Sequence, residues 1–97
     1  MQSTYDSTIS QAIKYLKEKD LSEAHTLLHT AIAISDYKPE AYNLLGVYYE
    51  TKGDLIKAST FYRVSYYVDQ SFKPAMNNLT RLSDMYKRLR KKVDYGE

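Results

Sequence analysis

A chain of 97 residues can close one modest hydrophobic core, and its 43% hydrophobic and 27% charged composition is that of a globular protein. No run approaches the ~20 consecutive apolar residues of a membrane-spanning helix, and the polar stretch from Met1 to Tyr5 resembles neither a secretory signal nor a transit peptide. Zero cysteines exclude a disulfide framework and a thiolate zinc site, and fit a reducing, cytoplasmic setting. The net charge of +2 is unevenly placed. Residues 1–72 carry seven basic against nine acidic side chains, whereas residues 73–92 carry seven basic against Asp84 alone. An electrostatic partner is therefore expected toward the C-terminal end.

Ile9, Ala12, Ile13 and Leu16 recur at i, i+3, i+4 and i+7, one stripe along a first helix. Asp20 precedes Leu21 and has Glu23 three residues on, a capping arrangement that opens a second helix. That helix carries Leu21, Ala24, Leu27, Leu28, Ala31 and Ile32. It ends near Ser35 and Asp36, because Pro39 disfavours helical backbone at Lys38. Pro39 suits the first turn of a third helix with Tyr42, Leu45, Gly46, Val47 and Tyr49. Gly53 provides a left-handed stop, and Asp54 caps a fourth helix bearing Leu55, Ala58, Phe61, Tyr62, Ser65, Tyr66 and Val68. Lys73-Pro74 opens a fifth, with Met76, Leu79, Leu82, Met85 and Leu89 along it, running on through Arg90. No alternating, strand-like pattern occurs, so the expectation is all-α: five helices joined by short turns.

Shifted by 34, the chain lands on itself: Asp20-Leu21 on Asp54-Leu55, Ala24 on Ala58, Tyr15 on Tyr49, Ala41 on Ala75, Leu45 on Leu79. Two helices per 34 residues, with Tyr42, Leu45, Gly46, Tyr49, Gly53, Asp54, Ala58 and Tyr62 in order, resembles the tetratricopeptide repeat family. Residues 39–72 carry the pattern fully. Residues 5–38 match more weakly, with Thr8 and Gln11 in place of an aromatic and a leucine, and Lys19 in place of the turn glycine. Residues 73–92 are a half repeat or capping helix, and 93–97 a tail. The whole of 1–97 is then a single domain, a right-handed stack of antiparallel helical hairpins. Gly46 and Ala58 are small because paired helices cross closely there.

The resemblance implies a protein–protein interaction module whose concave groove, lined by the first helix of each hairpin, holds a peptide or helix of a partner. On that register the groove presents Ile9, Ile13 and Leu16, then Asn43, Val47 and Glu50, then Asn77, Arg81 and Asp84. Paired asparagines suit a peptide backbone, since an amide side chain both donates and accepts. Ile9, Ile13 and Leu16 read equally well as core. A subset of the family grips chaperone tails by their carboxylates through Lys, Asn and Arg. The matching positions hold Ile9, Ile13, Leu44 or Leu45, Pro74 and Asn78, none of them basic, which leaves only weaker anion binding through Lys73 and Arg81.

Three other features have alternative readings. Tyr48, Tyr62, Tyr66 and Tyr67, with Phe61, crowd the middle hairpin, as repeat core or as an interface. Lys87, Arg88, Arg90, Lys91 and Lys92 complement the dipole of a last helix or form a patch for RNA or another anionic surface. His25 and His29 share a helix face, but nothing completes a metal set, so no metal or other cofactor is expected. No nucleophile motif, phosphate loop or carboxylate pair marks an enzyme. The alternative within the groove reading is an obligate homodimer that covers the same apolar stripe with its own copy.

Overall fold

The computed structural model describes residues 3–84 and 93–97. Five helices follow in order, α1 (Thr4–Lys17), α2 (Leu21–Ile34), α3 (Glu40–Thr51), α4 (Leu55–Val68) and α5 (Lys73–Ser83), with no strand among the described residues. The fifth was expected to run on through Arg90. Its described part ends at Ser83, with the Asp84 N–H donating to the Thr80 carbonyl, and Met85 and Leu89 lie outside the described residues. No described helix is long and apolar enough to cross a membrane.

The turns explain why consecutive helices reverse. After α1, Lys19 N–H donates to the Leu16 carbonyl and Asp20 N–H to the Tyr15 carbonyl. After α3, Gly53 N–H and Asp54 N–H repeat those bonds to Glu50 and Tyr49. Both are Schellman closures, which need a left-handed residue at the first position past the cap. Gly53 takes φ 86° freely; Lys19 takes φ 64° against the steric preference of a side chain-bearing residue. Each aspartate then turns round and caps the next helix, Asp20 Oδ1 accepting from Glu23 N–H and Asp54 Oδ1 from Lys57 N–H at 3.1 Å. One residue thus closes one helix and starts the next, at positions 34 apart.

Each helix packs on its neighbours in the chain, and α1 also meets α3. Ala12, Leu16, Ala24, Leu28, Ala31, Ala41, Leu44, Val47, Ala58 and Tyr62 make one buried cluster. Each buried leucine in it contributes roughly 1.5–3 kcal/mol. Gly46 sets the crossing of α3 and α4: a Cβ there would lie 2.9 Å from Cζ of Tyr62 and closer still to two other ring carbons. Tyr5 belongs to the core, although no local pattern of residues places it there. Its hydroxyl donates to Glu40 Oε1 and accepts from Ala41 N–H, tying α1 to the start of α3. Burial raises its pKa, against the Ala41 bond.

Candidate functional site

Of the odd-numbered helices α1, α3 and α5, the first two meet directly. Direct side-chain bonds join the last two. Arg81 on α5 reaches Glu50 on α3 with two nitrogens, Nη1 to Oε2 at 2.5 Å and Nη2 to Oε1 at 2.6 Å, both side chains largely buried. Tyr62 of α4 donates to the same Glu50 oxygen at 2.8 Å. Burial opposes the Arg81 charge, but the Glu50 bonds and charge outweigh it and hold the guanidinium above the ordinary arginine range. Burial first, and then the Glu50 charge, pushes the Tyr62 phenol up. Glu50 is thereby held in place by side chains of α4 and α5.

Closer to the start of these helices, Asn43 and Asn78 are wholly buried and bonded to one another, Asn78 Nδ2 to Asn43 Oδ1 at 2.9 Å. Their remaining polar atoms face a peptide backbone. Asn78 donates to the Asp94 carbonyl at 2.8 Å and accepts the Asp94 N–H at 2.8 Å, while Asn43 donates to that carbonyl at 3.1 Å. One amide side chain therefore satisfies both main-chain groups of a single residue, as a neighbouring strand does. Asn77, exposed beside it, donates to Asp94 Oδ2 at 2.9 Å.

Around this centre, Val93 and Tyr95 pack against the core cluster. The Lys17 ammonium stands 5.2 Å from the centre of the Tyr95 ring and pairs with the Glu97 carboxylate. At Gly96, with φ 79°, an added Cβ would come 2.9 Å from Phe72 Cζ, so the ring would have to shift.

Of the residues assigned to the groove from sequence, Asn43, Glu50, Asn77 and Arg81 stand together on the α3–α5 side. Ile9, Ile13, Leu16 and Val47 are buried in the core cluster, the same cluster on which Val93 and Tyr95 rest. Sequence reading overlooked Asn78, Lys17, Phe72 and the 93–97 segment. A strict 34-residue shift from Asn43 falls on Asn77, but the buried partner is Asn78, one position later. The Asn77-Asn78 pair in the sequence held that signal without saying which of the two faces inward.

The other candidate features separate. Tyr62 and Tyr48 are core, Tyr48 edges onto Tyr49, and Tyr49 stacks on Phe61 at 5.4 Å. Tyr66 is half-buried and Tyr67 exposed. Lys87, Arg88, Arg90, Lys91 and Lys92 lie outside the described residues. His25 and His29 face each other with Nε2 atoms 3.0 Å apart, and among the described residues no group of three potential ligands gathers about them or elsewhere. No protein-family model matches the chain, and neither a curated protein nor a solved structure matches it.

Proposed function

We propose that this chain is a protein–protein interaction module of the tetratricopeptide type, which holds an extended segment of a partner against α3 and α5 and performs no catalysis. Support for the repeat type comes from the turns. Schellman closure, aspartate cap and extended helix exit recur at Lys19 and Gly53, Asp20 and Asp54, Ser35 and Asp69, all at the period of 34. The single observation that carries the binding reading is the Asn43–Asn78 pair. Two wholly buried amides committed to both main-chain groups of one residue recognise a peptide backbone, independent of its side chains. Polar groups buried that deeply cost stability unless satisfied, so the pair is built for a backbone partner.

A random peptide display library selected on the immobilised full chain tests this. Enriched peptides should bind wild type and lose at least about tenfold in affinity to Asn78→Ala, the loss of two hydrogen bonds at about 1 kcal/mol each. No enrichment, or enriched peptides indifferent to Asn78, refutes the groove. The homodimer alternative makes a different prediction, a concentration-independent dimer by light scattering.

A further inference from the structure

We propose that residues 93–97 are a built-in occupant of this groove, and that the partner which displaces them is an acidic peptide of the same pattern: Asp, aromatic, Gly, acid. This rests on the groove reading above and adds to it the chemistry of the ligand and a device that limits access to it.

Each of the four positions from Asp94 to Glu97 meets a feature that favours it. Asp94 gives its backbone to the asparagine pair, one carboxylate oxygen to Asn77 Nδ2 and the other to Gly96 N–H at 2.9 Å. That last bond folds an Asx turn, which presents the following residues. Tyr95 offers its ring to the Lys17 ammonium, within the range of a cation–π contact. Gly96 is favoured by its positive φ, and a Cβ added there would meet the tip of the Phe72 ring. Glu97 pairs with Lys17. A segment resting on a surface by chance would not meet a backbone reader, a carboxylate reader, a position that favours glycine and a cation in consecutive positions.

Occupancy from within the chain weakens every external ligand. A ligand covalently attached to its own site acts at an effective concentration of about 1 mM. If the free segment binds at about 0.1 mM, a partner at the same site loses about tenfold in apparent affinity. The partner therefore has to match the pattern or outbid it with contacts beyond the groove.

The test uses a fluorescein-labelled peptide of sequence Val-Asp-Tyr-Gly-Glu and the full chain, read by anisotropy. In the double variant Asp94→Pro, Gly96→Val the internal segment loses the N–H that Asn78 accepts and gains a side chain that meets the Phe72 ring. That variant should bind the labelled peptide at least about fivefold tighter than wild type, and adding Asn78→Ala should remove the gain. Equal binding by wild type and double variant overturns the proposal. A double variant that binds other library peptides through Asn78 but not this one overturns it while leaving the groove reading intact; one that binds no peptide at all removes both.

Hydrogen exchange on wild type gives a second measurement that needs no variant. The Asp94 amide should exchange at least about tenfold more slowly than in the free peptide, and excess unlabelled peptide should accelerate it without affecting α1 to α4. Exchange at the free-peptide rate overturns the proposal. So does a dimer that the double variant abolishes, which would mean that segments are exchanged between copies.

Discussion

Gly46→Ala adds one methyl group where the structure has none to spare. The new Cβ would sit against three carbons of the Tyr62 ring, which is itself wholly buried. The ring cannot swing aside, because its hydroxyl is held by Glu50, which Arg81 holds in turn. Overpacking of this kind costs about 1–3 kcal/mol, and displacing the Tyr62 hydroxyl from Glu50 adds about 1 kcal/mol. Alanine's better helix propensity returns about 1 kcal/mol. A net loss of about 1–3 kcal/mol is expected, and for a domain of this size it lowers Tm by roughly 5–20 °C. Thermal unfolding followed by circular dichroism measures it. In a Tyr62→Leu background the same substitution should cost less than about 0.5 kcal/mol, because the clashing ring is gone, and the difference is the coupling between the two positions. An unchanged or raised Tm for Gly46→Ala in the wild-type background refutes the close crossing of α3 and α4.

Lys19→Gly relieves the left-handed strain of the first turn and should raise stability by about 0.5–1 kcal/mol, while Gly53→Ala at the equivalent position should lower it by about 1 kcal/mol; urea titration of both reads the opposite signs. Glu50→Ala strands the buried Arg81 guanidinium and Tyr62 hydroxyl and should cost about 3 kcal/mol, so a loss under about 1 kcal/mol in the same assay contradicts the buried network. His25 has a pKa below its ordinary 6.5 because partial burial disfavours its charge, with His29 and Lys52 adding to this. The unfolded chain then binds the proton more readily, so the His25 contribution is present above about pH 6.5 and is lost as pH falls through the lower folded value. His25→Gln should flatten that part of the stability–pH profile, measured as denaturation midpoints between pH 7.5 and 5 at roughly half-unit steps.

Helix number, helix order and the reversing turns were legible in the residues because they depend on local chemistry. A carboxylate caps the next backbone N–H groups within a few residues, glycine alone adopts φ near 86° without strain, and an apolar stripe at helical period chooses its own buried face. The repeat spacing followed from the same signals recurring. Even the small residues at the crossing, Gly46 and Ala58, announced themselves by standing where large neighbours needed room.

Tertiary structure alone decided which polar residue of a pair turns inward. Asn77 and Asn78 are chemically identical and adjacent, and only the tertiary fold sets the second, buried, between Asn43 and the Asp94 backbone and leaves the first exposed. Likewise, Ile9, Ile13 and Leu16 share a stripe that serves core or groove equally in the sequence, and the packing of α1 against α2, with α3 beside it, buries them in one cluster. Nor does any local pattern show that Asp94 meets residues 16 and 51 positions away, since a five-residue segment without periodicity carries no address. Its place depends on hydrogen-bond groups contributed by two different helices, which exist as a site only once those helices are packed.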